Sequence, residues 1–359
     1  MFFHSFQTVR PKYESSQESS LKWLLKAYSK AKQGIKTEEE LARSLQKVAC
    51  GSNYISSRSH VTPDFLHEDW KEMEIYQLEE SLQGRPLSQR AKIFSRETEK
   101  VFDQLYSQVA TPPDDLLHVT CTGYGSPSAA QKMVSKKGWE KETTVTHVYH
   151  MGCYGCIPAL RIAKGLLLSS EEKTSADIVH TEICTIHCNP SDDRPGQMVS
   201  QTIFGDGFIK YTVSKKPKGP SFLIRSLREE TIPNSSDAMK WDMSEYGFEM
   251  FLSKEIPVFI SQHLEGYLKR LVGSESTLFA VHPGGPKILR FIQKILRLEE
   301  GQLSHSYKVF KEFGNMSSAT LPYILKGILE DPSIPEHVPI VLLAFGPGLT
   351  IAGGVVEKV

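Results

Sequence analysis

Cysteine is scarce in this chain: six in 359 residues (Cys50, Cys121, Cys153, Cys156, Cys184, Cys188). Disulfide-stapled scaffolds are shorter and much denser in cysteine, so a cystine framework is excluded as the source of stability. An excess of either charge is also lacking. Lys plus Arg number 42 and Asp plus Glu 42, giving a formal net charge of zero. A neutral chain has no general electrostatic attraction for nucleic acid and favours a small-molecule or protein partner. The first residues, Met1 to Phe6, have neither a basic segment nor a long apolar run. No secretory leader is expected there, and the cytoplasm is the expected compartment. One uncharged stretch, residues 338–356, has the length of a membrane span. Pro339, Pro347, Gly346, Gly348, Gly353 and Gly354 interrupt it. It reads instead as two buried strands around a Gly346-Pro347-Gly348 turn, and no membrane span is expected.

What is present is enough apolar residue, 40%, for a sizeable core. Residues 16–50 and 86–110 read as helical from their apolar spacing. Strand–turn–helix units follow. Strands are expected at Leu116–Cys121, Val145–Tyr149 and Asp177–Ile183, with a helix running from the Gly152 turn through Leu168. The polar break at 214–220 separates an N-terminal half, 1–213, from a C-terminal half, 214–359. The second half repeats the style. It has a strand at Leu278–Val281, a helix from Pro286 to Leu298, and a unit from Tyr307 through Gly314 into a helix ending near Leu329. Such alternation argues for an α/β fold with both sheet faces covered.

Three junctions carry chemistry. In His150-Met-Gly-Cys153-Tyr-Gly-Cys-Ile-Pro158 a strand ends in a glycine turn and Cys153 stands where an apolar helix begins. Free N–H groups and the partial positive charge of a helix N-terminus favour a thiolate there. In Phe279-Ala-Val-His282-Pro-Gly-Gly-Pro286 a histidine ends a buried strand, and in Glu312-Phe-Gly-Asn315-Met-Ser-Ser318 a glycine turn presents an asparagine. Cys, His and Asn form a workable nucleophilic set: sulfur attacks, imidazole supplies a proton or hydrogen bond, and amide holds an oxyanion. Taken singly, each has a plainer reading as a buried cysteine, a core histidine and a helix cap. A zinc site of Cys153, Cys156, Cys184 and Cys188 is a rival. Its second pair has the wrong separation and its first pair enters an apolar helix, so no metal is expected.

At these residues the chain resembles the type III polyketide synthases, the chalcone synthase-like branch of the thiolase-like superfamily. Gly152-Cys153 with Leu160-Arg-Ile-Ala-Lys164 resembles the family's nucleophile segment. Phe204-Gly-Asp-Gly207, His282-Pro-Gly-Gly-Pro286, Gly314-Asn-Met-Ser-Ser-Ala319 and Phe345-Gly-Pro-Gly-Leu-Thr350 resemble its other motifs, in the family's order over about residues 115–355. The resemblance implies a thiolase-like fold of two similar halves, layered α-β-α-β-α. It also implies that Cys153 accepts an acyl group from coenzyme A, while His282 and Asn315 hold the enolate formed as malonyl-CoA loses carbon dioxide. Phe204 matches one of two gating phenylalanines, and the other falls on Met250. Trp241 stands where plant members have glycine. Cys184, His187 and Ser317 are expected along the substrate cavity.

Lys47 and Arg58 are the only positive residues in the segment matching the family's coenzyme A grip, so they are the expected phosphate contacts. The weakness of that grip leaves an acyl carrier protein open as donor. These departures favour a microbial-type enzyme with fatty acyl starters and a pyrone or resorcinol product. No permanently bound cofactor is expected, and a homodimer is implied, with Gly125-Ser126-Pro127 near the partner's cavity. The rival enzyme reading is a ketoacyl synthase making one condensation on a carrier-protein substrate.

Overall fold

The computed structural model describes residues 1–272, 278–299 and 301–359. Its strands are β1 (Phe2–Val9), β2 (Tyr13–Ser16), β3 (Ser57–His60), β4 (Asp115–Thr120), β5 (Thr144–Tyr149), β6 (Ser175–Ile183), β7 (Asp206–Ser214), β8 (Ser221–Thr231), β9 (Met239–Ser244), β10 (Gly247–Leu252), β11 (Leu278–Val281), β12 (Pro339–Gly346) and β13 (Thr350–Lys358). Nine of them hydrogen-bond in the order β11-β12-β13-β8-β1-β7-β6-β4-β5. The pairs β4–β5, β4–β6 and β11–β12 are parallel.

The strand sequences explain the layering. Successive side chains on a strand point to opposite faces, and here both faces are apolar. On β12, Ile340, Leu342 and Ala344 join one core cluster while Val341, Leu343 and Phe345 join another. On β4, Leu117 and Val119 face the first cluster and Leu116 a third. That first cluster holds two central helices. Cys156–Leu168 contributes Ile157, Leu160, Ala163 and Leu167, and Thr320–Glu330 contributes Leu321, Ile324, Leu325 and Ile328, both at helical spacing. Strands from both halves pack on this pair. Outside them lie helices Gln17–Ala31, Leu87–Tyr106 and Ala129–Lys137 on one side, and Ile256–Leu271 and Pro286–Leu296 on the other. The succession is helix, strand, helix, strand, helix.

The polar break falls between β7 and β8. The two halves are joined by β1, which bonds β7 on one edge and β8 on the other. Residues 16–50 are not one helix. Gly34 takes φ of 79°, and Thr37 then caps a new helix, Glu38–Val48, in a capping box with Glu40. Among the described residues no helix is long and apolar enough to cross a membrane.

Candidate active site

The parallel strands end at one side of the sheet, and each end delivers a polar side chain. After β5 the chain turns through His150 and Gly152, with φ of 61° and 75°. A side chain at Gly152 would strike Pro347, 2.5 Å from the Cβ position. Glycine is therefore required where the two halves meet. Cys153 follows in a single 3-10 turn, Gly152–Tyr154, just before the helix Cys156–Leu168. Asn315 and Ser317 come from the other half and stand beside the Cys153 sulfur, where their donors favour its ionised form. Gly314, with φ of 69° and the Ile203 carbonyl 2.6 Å from its Cβ position, lets that loop close against residue 203. The Asn315 side-chain oxygen accepts from the Ser317 N–H at 2.8 Å, which makes its amide nitrogen the donor end.

His282 follows β11 directly, its N–H bonded to the Leu343 carbonyl at 2.8 Å. Farther along β12, Gly346 packs on Tyr154 and Pro347 on Gly152, which ties the histidine's strand pair to the nucleophile turn. His282 is 1% exposed, and neither ring nitrogen has a hydrogen-bond partner among the described residues. Burial lowers its pKa to about 3, so the imidazole is neutral at physiological pH.

Cys153 is half-buried. The expectation of a resting thiolate is corrected: burial, and then the nearby Glu182 carboxyl, push its thiol up to about 12 against the donors Ser317 and Asn315. One turn of 3-10 helix separates the sulfur from the long helix, so the dipole is not enough to offset desolvation.

Glu182 was not expected from the sequence. It is the last residue but one of β6, is fully buried, and accepts from the Cys121 N–H (3.0 Å), the Thr122 hydroxyl (3.0 Å) and the Ser318 hydroxyl. His180 then bonds Ser318 (2.9 Å) and Tyr211 (3.1 Å). Burial raises the Glu182 pKa to about 7. The signal in sequence is a charged residue within a strand whose residues 176–183 are all buried.

The expected pocket residues gather beside this set. Phe204 forms an isolated parallel bridge with Asn315, and its ring lies 6.3 Å from that of Trp241. The Trp241 indole donates to the Cys121 carbonyl at 2.7 Å. His187 donates to the Thr122 carbonyl (2.8 Å), accepts from the Phe248 N–H (3.2 Å), and stacks on Phe248 at 4.3 Å. Cys184 lies within electrostatic reach of Cys153. It sits in the 3-10 turn Cys184–His187 after β6, not within the strand. Met250 stands opposite Trp241 in the β9–β10 hairpin, and Phe248, on the same strand face, supplies the cavity wall.

Arg58 requires a correction. It is 3% exposed, and its guanidinium turns inward to the Gln17 side chain (2.8 Å) and the carbonyls of Gln201 (2.9 Å) and Phe204 (2.8 Å). A surface grip on coenzyme A phosphates is not available to it. Lys47 is exposed at the end of the helix Glu38–Val48. The cysteines of the rival metal reading have other partners: Cys156 meets the Tyr211 hydroxyl and Cys188 the Gln201 side chain.

Residues 36–217 match the family model for the N-terminal domain of chalcone and stilbene synthases, and residues 224–359 that for their C-terminal domain. Type III polyketide synthase B of Arabidopsis thaliana is 30% identical over 236 residues, 60% of each chain. The 1,3,6,8-tetrahydroxynaphthalene synthase of Streptomyces coelicolor is 26% identical over 286 residues, 76% of each. Probable polyketide synthase 1 of Dictyostelium discoideum is 28% identical over 258 residues, which are 68% of this chain but 8% of that protein. The C-terminal type III polyketide synthase domain of a Dictyostelium hybrid synthase superposes with a TM-score of 0.83 at 22% identity, covering 100% of this chain and 99% of that one. A polyketide synthase of the brown alga Ectocarpus siliculosus gives 0.84 at 21%, covering 100% and 98%. With both halves matched, this chain belongs to the chalcone and stilbene synthase family and has its thiolase-like fold.

Proposed function

We propose that the chain is a type III polyketide synthase, loading an acyl group, fatty acyl by preference, from coenzyme A onto Cys153. Its sulfur attacks the thioester carbonyl, coenzyme A leaves as the thiol, and the thiol proton of Cys153 departs with it. Malonyl-CoA then loses carbon dioxide. The resulting enolate carbon attacks the acyl-cysteine carbonyl, which lengthens the chain by two carbons and frees the cysteine sulfur. Repetition and ring closure give a pyrone or resorcinol type product.

The observation that carries the reading is the unpartnered imidazole of His282. A fully buried polar ring without a partner is costly in a folded core unless a ligand completes it. A neutral imidazole N–H and the amide N–H groups of Asn315 suit an enolate oxygen, which needs preorganised donors in a dry site. The high thiol pKa of Cys153 fits a nucleophile that ionises only when substrate is bound. Incubating the protein with a panel of acyl-CoA thioesters and malonyl-CoA, with mass analysis of released products, tests this. Pyrones or resorcinols support it, and the absence of any chain-extended product from every starter overturns it.

A second reading is favoured by the inward Arg58. Without it, Lys47 alone remains of the matching basic segment, so a carrier protein is a competing donor, with a single condensation as the outcome. We further propose a cytoplasmic homodimer. The strand β5 ends the sheet and has exposed positions along its length, as an edge awaiting a partner does.

A further inference from the structure

A small cavity of about 30 Å³ is walled in part by Arg58, Gln197, Cys184, His187, Phe204 and Trp241. Its polar lining is one-sided. Of the guanidinium nitrogens of Arg58, Nε and Nη1 are bonded and Nη2 has no acceptor. The Gln197 amide nitrogen also has none, while its side-chain oxygen faces the Ser200 hydroxyl at 3.5 Å. Both residues are more than nine-tenths buried, at 3% and 5% exposure. The acceptors nearby are already used. The Gln201 oxygen takes the Tyr28 hydroxyl, and Asp206 takes Val61 and Thr185. His187 has both nitrogens engaged. The wall therefore offers two spare donors, one of them on a cation, to an electron-rich group. Buried donors of this kind are costly when unmet. The volume is large enough for a single water-sized polar group.

We propose that Arg58 Nη2 and Gln197 Nε2 form a subsite that binds a carbonyl or carboxylate oxygen of the acyl chain carried on Cys153. The inference rests on the reading of Cys153 as acyl carrier. Phe204 on the same wall is bridged to Asn315, so the subsite adjoins the loop that carries Asn315. The oxygen belongs either to the starter itself or to the keto groups that extension adds. Both present the same acceptor.

The test uses the full chain and its Gln197→Leu variant, which removes a donor while leaving the Arg58 anchorage intact. In single-turnover loading followed by intact mass, octanoyl-CoA is compared with 7-oxooctanoyl-CoA. A preference of about tenfold for the oxo chain, erased in Gln197→Leu, supports the subsite and assigns it to the starter. Equal loading of both chains, with products shortened by Gln197→Leu once malonyl-CoA is added, supports it and assigns it to the extended chain. Loading and products unchanged by the substitution overturn it and leave a resident water as the only occupant. Failure of both thioesters to acylate Cys153 overturns the acyl-carrier reading and the subsite with it.

Discussion

Glu182 and His282 are both fully buried at strand carboxyl ends, yet the fold treats them in opposite ways. Glu182 is wrapped by a backbone N–H and two hydroxyls, with His180 and Tyr211 behind them. His282 has no partner at either ring nitrogen among the described residues. A satisfied buried group belongs to the folded scaffold, and an unsatisfied one is held ready for a ligand. Substitution should therefore separate the two: stability should fall at Glu182 and turnover at His282.

The largest effect is expected at His282. His282→Gln should slow malonyl-CoA decarboxylation by about 10²–10³, the range for losing one oxyanion donor. Its melting temperature should move less than that of Glu182→Gln. A large stability loss at His282 would break the contrast.

Glu182→Gln comes next. An amide cannot accept from all the donors that a carboxylate does, so unfolding free energy should fall by about 2 kcal/mol. The pH dependence has a definite sign. Burial raises Glu182 from 4.5 to about 7 and Asp206 from 3.8 to about 7. The folded state holds these protons more tightly than the unfolded one. Their contribution is complete below about pH 4 and is lost as pH rises to 7. Denaturant titrations should show stability declining over that window in the wild type, and less steeply in Glu182→Gln.

A smaller effect concerns Cys153. Its thiol lies at about 12, raised first by burial and then by Glu182. Iodoacetamide should modify it slowly at pH 7 and faster with each unit of pH. Glu182→Gln should increase the rate at a given pH, because it removes a negative charge beside the sulfur. The smallest change is expected from Trp241→Gly. Opening the wall between Phe204 and His187 should favour bulkier starters, on the order of tenfold or less in relative loading rate.

Much of this was legible in the sequence. β4 and β12 are largely apolar and run into glycine turns, and Cys153 and His282 each follow a strand, whereas Asn315 follows the helix Ser304–Phe313 and not a strand. Such signals are local. What escaped depends on the tertiary fold. The hairpin β9–β10 reads Met-Lys-Trp-Asp-Met-Ser and Gly-Phe-Glu-Met-Phe-Leu, too polar and mixed to announce a strand pair. The place of Phe248 on the cavity wall was hidden with it. Arg58 is assigned to phosphate as one of two positive residues in the segment that matches the family's coenzyme A grip. Its acceptors, Gln17, Gln201 and the Phe204 carbonyl, lie 41 to 146 residues away, and only the folded chain brings them together. The position of Cys153 was visible in sequence, but its raised pKa was not, because desolvation is a property of the folded site.

The central claim is that Cys153 carries the acyl chain. Intact-mass spectrometry after incubation with acyl-CoA thioesters, run on wild type and Cys153→Ala, tests it most directly. The account predicts a mass increase equal to the acyl group on wild type, none on Cys153→Ala, and loss of the adduct when malonyl-CoA is added. An adduct that persists in Cys153→Ala would contradict it.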